Sequence, residues 1–274
     1  MCDIVPTTAV QVRTLNEFTS AIATSGNNIE ILNDITLTSD ITITHNVNIY
    51  GGDHVINCDS HIISIENCNV KMYNLVVSHG GEAVIRVGYE GTRNDEPIIA
   101  EGNLFAKDCK FSDGKWVIQL MGRGIGTFIN CDISLAGGGY TKTDKSYDGI
   151  GVHGNSKLYV YNCKIHDTYD EGISIHDFSY GEIYDTEVYN CGYQVSRNSG
   201  SALTDRKGAA SSYGGIHIGG TGMGIVKNCY SHDNATYGIG LYCLNPPGSS
   251  GKTICIGNIV KNNGYVDGIA SASD

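Results

Sequence analysis

The chain has 274 residues, of which 41% are hydrophobic, enough for a continuous core. Its net charge of −11, with no basic stripe, argues against a nucleic-acid partner. No apolar run approaches the ~18 residues of a membrane span, and no basic segment followed by an apolar one opens the chain, so neither a membrane partner nor an export signal is expected.

The first element is a helix. Thr14-Leu15-Asn16-Glu17 fits a capping box, and Leu15, Phe18 and Ile22 share a helical face. A short amphipathic helix in an N-terminal segment, residues 1–27, would cover an apolar solenoid end. From residue 29 the pattern changes to strand alternation, with Ile35, Leu37, Ile41, Ile43, Val47 and Ile49 at the apolar positions.

Then a phrase begins to recur. It reads Tyr73-Asn74-Leu75-Val76-Val77, Lys107-Asp108-Cys109-Lys110-Phe111, Ile129-Asn130-Cys131-Asp132-Ile133 and Tyr161-Asn162-Cys163-Lys164-Ile165. It returns at Tyr184-Asp185-Thr186-Glu187-Val188, Lys227-Asn228-Cys229-Tyr230-Ser231 and Ile256-Gly257-Asn258-Ile259-Val260. A second phrase interleaves: Val117-Ile118-Gln119-Leu120, Gly149-Ile150-Gly151-Val152, Gly172-Ile173-Ser174-Ile175, Gly215-Ile216-His217-Ile218 and Gly238-Ile239-Gly240-Leu241. Alternation at a period of about twenty-odd residues predicts a solenoid of stacked strands. With 36 Gly and only 4 Pro, Gly, Asn and Asp must make the turns, and these residues tolerate positive φ. Each coil is therefore expected to hold a strand, a left-handed corner and another strand.

The residue after that corner is Leu75, Cys109, Cys131, Cys163, Thr186, Cys229 or Asn258, and it would stack inward on its equivalents. On these repeats the chain resembles the pectate-lyase-like right-handed parallel β-helix superfamily, over about residues 28–274. The resemblance implies an all-β, single-stranded right-handed parallel β-helix, of roughly nine or ten coils by the repeat count. Where that superfamily often has an Asn ladder this chain has mostly Cys, so thiol packing rather than hydrogen bonding is expected there. Most of the ten Cys are read as reduced, although neighbours such as Cys109 and Cys131 would stack close enough to oxidise. No Cys-x-x-Cys pair offers a zinc site.

Successive corners are 22 residues apart from Asp108 to Asn130 and 23 from Asn162 to Asp185, the length of a bare coil. Longer intervals must leave the coil as loops, for which 86–103, 136–147 and 194–213 are the Gly-, Ser-, Thr- and charge-rich candidates. At the end, Asp267-Gly268-Ile269-Ala270-Ser271 opens another phrase with no cap after it. A longer protein, or a covering chain in a trimer like the phage tailspikes it resembles, would explain this. A virion or cytoplasmic setting is favoured accordingly.

Aligning the second phrase on its Ile stacks equivalent residues. Asp148 and Glu171 fall in one column and His153 and His176 in another, with His217 one coil on and Asp170 and Asp177 flanking. Loops 136–147 and 194–213 enter beside them, and the second carries Arg206. Carboxylates, imidazoles and a guanidinium are the groups that neutralise, deprotonate and protonate a sugar acid. The expected function is recognition of a polysaccharide, with cleavage as its extension. In a lyase, His176 or His217 is the base and Arg206 or Tyr242 assists. In a hydrolase, Asp148 and Glu171 are the paired carboxylates, with His153 beside them. A uronate epimerase would share the first half of the lyase chemistry. Tyr169, Asp170, Asp177, Tyr213 and Tyr242 are candidate sugar contacts. No cofactor is required, but a carboxylate pair with His neighbours could also hold Ca2+ or a transition metal. The rival is a structural or adhesive β-helix whose polar stacks arose by duplication alone. His166-Asp167, just past a corner, reads as a turn.

Overall fold

The computed structural model describes residues 4–93, 96–137, 147–192, 214–243, 253–264 and 266–271. The chain winds as one parallel β-helix. Each coil contributes in turn to an 11-stranded first sheet and to a second and a third sheet of nine strands each. One coil shows the pattern: Lys157–Tyr161 lies in the first sheet, Lys164–His166 in the second, Ile173–Ile175 in the third, and Tyr180–Tyr184 returns to the first. An antiparallel excursion, Tyr89–Arg93 against the first part of Glu96–Lys107, lies in the expected loop 86–103.

The helix Leu15–Ile22 forms where its cap predicts. Glu17 N–H donates to Thr14 Oγ1 at 3.3 Å and Thr14 N–H to Glu17 Oε2 at 3.1 Å. Phe18, Ala21 and Ile22 bury its inner face. The segment ahead of it also joins the solenoid, because Val10–Val12 pairs in parallel with Asn28–Ile31.

Vertical registry follows the sequence alignment. Ile41, Ile63, Ile85, Ile118, Ile150, Ile173, Ile216 and Ile239 pair coil on coil in the third sheet and are all buried. The corner after the first sheet is left-handed in every repeat read from the sequence, from Asn74 at φ 47° to Gly257 at φ 70°. Two further left-handed corners complete the triangle. Asp167, Asn190, Asp233 and Asn262 turn from the second sheet to the third, and Gly88, Gly122, Gly154, Asp177 and Gly220 from the third back to the first.

The inward ladder differs from expectation in one respect. Thiols do pack there, but hydrogen bonds also climb it. Cys131 N–H donates to Cys163 Sγ at 3.3 Å, Cys163 N–H to Thr186 Oγ1 at 3.4 Å, and Cys229 N–H to Asn258 Oδ1 at 2.8 Å. A tight corner strips these amides of strand partners, and the next coil's side chain supplies an acceptor. Outside the corner a true amide ladder runs from Asn162 to Asn130 to Asp108, at 2.7 and 3.1 Å. Cys58, Cys68, Cys109, Cys131, Cys163, Cys191, Cys229 and Cys255 are free thiols. Burial pushes Cys58 and Cys191 up to about 12, which keeps them protonated.

The recurring Gly before the column Ile has a packing cause. A Cβ on Gly172 would sit 2.6 Å from Val188 Cγ1 and 2.9 Å from Cys191 Sγ, and one on Gly149 would sit 2.6 Å from Gly172 O. Both residues of each Gly-Ile pair thus turn inward, and the strand breaks strict alternation just before its Ile. Gly172→Ala is expected to cost about 1–3 kcal/mol by overpacking. Urea unfolding checks this; an unchanged midpoint would mean the second-sheet corner gives way freely.

On the outer face of the second sheet, His166, Tyr189 and His232 stack with centroids 4.7 and 5.3 Å apart. Asp167 makes the turn read from the sequence. In addition His166 lies between Asp167 Oδ2 at 2.7 Å and Asp132 Oδ1 at 3.2 Å. Burial opposes its charge, but the two carboxylates outweigh it and push its pKa up to about 9 from 6.5. Its contribution to stability is therefore full below the unfolded value and disappears as pH rises through about 9. Asp132→Asn is expected to cost roughly 1 kcal/mol near pH 6 and little near pH 10. Denaturant midpoints at the two pH values test it, and an equal loss at both would rule out the charge as the cause.

Candidate active site

The break in alternation positions the site. With Gly149-Ile150 and Gly172-Ile173 turned into the core, Asp148 and Glu171 are carried to the outer side of the third sheet. They meet Asp170 there. One carboxylate oxygen from each of Asp148, Asp170 and Glu171 lies within 4.8 Å of the other two. All three residues are buried, and Asp148 and Asp170 are 0% exposed. Asp170, expected as a sugar contact, thus belongs to the buried cluster, where its Oδ2 accepts from Tyr147 N–H at 2.9 Å. Among the described residues neither oxygen of Asp148 has a hydrogen-bond partner at ordinary distance, and the carboxyl faces that of Glu171. Burial first, then the charges of Glu171 and Asp170, hold its carboxyl well above the ordinary range.

Glu171 links this cluster to the imidazoles. Its Oε1 lies 3.2 Å from His217 Nδ1 and accepts from Tyr237 Oη at 3.4 Å, while Tyr237 Oη lies 2.8 Å from the same Nδ1. Burial, followed by the Glu171 charge, keeps the Tyr237 phenol protonated well above its usual value. Tyr237 was not assigned a role from the sequence. It stands two coils from Glu171 in the same column, and Gly214 occupies the place between. A Cβ on Gly214 would lie 2.6 Å from Tyr237 Cδ2, so the missing side chain lets the ring reach back. That Gly between Glu171 and Tyr237 was the available signal.

The other imidazoles form a row. His153 and His176 stack in parallel with centroids 5.7 Å apart, His176 is 4.9 Å from His217, and His217 is 5.3 Å from Tyr242. Burial lowers the pKa of both His153 and His176, and the charges of His217 and His153 lower His176 further. Asp177 sits at the third corner, accepts from Gly154 N–H at 3.0 Å and lies 3.7 Å from His153 Nδ1. Tyr169 is buried edge-on against Tyr147, at 5.3 Å, rather than displayed to solvent. Arg206 and Tyr213 lie outside the described residues, as do most of loop 136–147 and all of loop 194–213. In the register row that holds His217, Gln119 and Ser174 are nearly shut off from solvent, at 5% and 1% exposed.

The right-handed β-helix region family matches residues 62–208 and again 148–273. Among solved structures, the crystal structure of pectate lyase Pel9A is similar, with a TM-score of 0.59 at 15% identity over 89% of this chain. The match spans 64% of the pectate lyase chain. No curated protein sequence matches significantly. With the family covering most of its length, three parallel sheets and the registry described above, the chain belongs to the right-handed β-helix family.

Proposed function

We propose that the outer face of the third sheet binds an acidic polysaccharide and cleaves it by β-elimination, with His217 as the base. The observation that carries this is the Glu171–His217–Tyr237 group set against a buried carboxylate cluster. Tyr237 and Glu171 both engage Nδ1, which fixes the ring and leaves Nε2 to take a proton. Removing the C5 proton α to a uronate carboxyl forms a C4=C5 double bond and expels the glycosidic oxygen from C4, which cuts the polymer and leaves an unsaturated sugar at the new end. Tyr242 stands beside His217 to donate to that leaving oxygen.

Asp148, Asp170 and Glu171 fit a hard divalent cation such as Ca2+, since their donors are all oxygens and, among the described residues, the two on Asp148 have no hydrogen-bond partner at ordinary distance. When bound, such an ion would neutralise the uronate carboxylate and acidify the neighbouring C–H. The hydrolase reading is weaker, because an Asp148 that is 0% exposed is poorly placed to act directly on a sugar.

The test is a panel of uronate polymers, among them polygalacturonate and alginate, assayed with Ca2+ for ultraviolet-absorbing unsaturated ends. Reducing ends without that absorbance would replace elimination by hydrolysis. Altered sugar stereochemistry with no new ends would indicate an epimerase. Binding without any product would leave a tailspike-like recognition role, and neither binding nor product would favour the structural rival.

A further inference from the structure

Three residues after each column Ile, successive coils of the third sheet carry Met121, His153, His176, Gly219 and Tyr242. Of these five, Gly219 alone has no side chain. Its coil carries an imidazole two residues earlier, on His217, which strand alternation places on the same outer face. The sequence reads His217-Ile218-Gly219 where the preceding coil reads Ser174-Ile175-His176. His217 leans into the place that Gly219 leaves empty. Its ring stands 4.9 Å from His176 on the preceding coil and 5.3 Å from Tyr242 on the next, so four rings from His153 to Tyr242 follow one another without a break.

This arrangement leaves no room for a methyl group. A Cβ on Gly219 would overlap His217 Nε2, and would lie 2.9 Å from His217 Cδ2 and 3.3 Å from His176 Cε1. These three nearest atoms all belong to side-chain rings and none to the backbone. Gly219 is not among the glycines with positive φ, so its backbone accepts alanine. A methyl group at 219 therefore moves a ring and not the strand. Ordinary contact with Cδ2 requires that edge of the ring to retreat by about 1 Å. At the other edge, Nδ1 lies 2.8 Å from Tyr237 Oη and 3.2 Å from Glu171 Oε1. The ring is rigid and tethered at Cγ, so a turn that withdraws Cδ2 also swings Nδ1 off the line of these two hydrogen bonds.

We propose that Gly219 is a positioning residue for His217. By presenting no side chain, it gives the imidazole the place in which Nδ1 meets Glu171 and Tyr237 while the Nε2 edge lies between His176 and Tyr242. Its effect on turnover rests on the reading of His217 as the base; its hold on the ring does not.

Wild type, Gly219→Ala, Glu171→Gln and the double variant are compared in urea unfolding, in imidazole nuclear magnetic resonance at a single pH, and in turnover of polygalacturonate and alginate. The His217 signals are assigned by their loss in His217→Ala. In Gly219→Ala the urea midpoint is expected to stay at the wild-type value, while the His217 nitrogen resonances move and its ring-proton contacts with His176 and Tyr242 weaken. Turnover is expected to fall about 10²-fold, the cost of a misplacement of this size, with the Michaelis constant little changed. Glu171→Gln should add little in the Gly219→Ala background, since the contact it weakens is already lost. Unchanged His217 signals in Gly219→Ala overturn the proposal. So does a displaced ring with turnover kept at the wild-type rate. A wild type that cleaves no uronate polymer removes the elimination reading alone, and the ring signals then decide the positioning. Should Gly219→Ala fold poorly, it is combined with His217→Ala. Recovery of the fold shows that the methyl group and the imidazole compete for one place, and no recovery overturns it.

Discussion

His217→Ala is expected to reduce turnover of a uronate polymer by about 10²–10⁴-fold, the usual contribution of a positioned general base. The Michaelis constant should change little, because the ring touches the substrate at the proton in flight and the polymer is held along several coils. Glu171→Gln keeps the shape of the side chain but removes the charge beside His217 Nδ1, 3.2 Å away. It is expected to lose turnover too, because a neutral amide holds Nδ1 less firmly than the carboxylate does. Tyr237→Phe removes the shorter contact, at 2.8 Å, and should lie between wild type and His217→Ala. Steady-state rates of unsaturated-end formation across pH measure all three. A His217→Ala protein that turns over at the wild-type rate would remove His217 as the base and move attention to His176.

Asp148→Asn is expected to make the protein more stable at neutral pH and less responsive to Ca2+. The native carboxyl is fully buried, without a hydrogen-bond partner among the described residues, and beside two other carboxylates. Its pKa is raised in the folded state, so the fold holds that proton more tightly than the unfolded chain does. The fold therefore loses stability as pH rises from the ordinary Asp value through the raised one. An amide of the same shape carries no charge to bury, and a gain of about 1–2 kcal/mol, roughly 2–6 °C in Tm, is expected near pH 7. The gain should vanish near pH 3, where the wild-type carboxyl is already neutral. Added Ca2+ should raise the Tm of wild type more than that of Asp148→Asn, because the variant lacks one of three ligands. Thermal melts at both pH values, with and without Ca2+, decide it. A less stable Asp148→Asn at neutral pH, or an equal Ca2+ effect in both proteins, would sink the cation site.

Both expectations concern residues that the sequence marked out, but it did not show how they are held. Asp148, Glu171 and His217 could be grouped because the Ile column makes sequence spacing equal to height along the solenoid. Under strict alternation, however, a residue two before an inward Ile also points inward. What turns Asp148 and Glu171 outward is the extra inward residue, Gly149 or Gly172, and its need to pack without a Cβ appears only once Val188 and Cys191 are beside it. The contact of Tyr237 with Glu171 is not legible in the sequence, because the ring crosses an intervening coil. Asp170 and Tyr169 read from the sequence as sugar contacts, because nothing in the chain records what covers them. The Cys ladder carries hydrogen bonds because corner amides lack strand partners, a consequence of backbone geometry rather than of side-chain type.

The sequence by itself determined the winding. Asn, Asp or Gly at each corner makes a left-handed turn, and Ile or Val at alternating sites makes a strand with one buried face, both of which are local properties. Only the tertiary structure decided the chemistry. A carboxyl's proton and an imidazole's orientation depend on atoms brought in from coils 20 to 66 residues away. Burial and charge act over ångströms in space, not over positions in the chain.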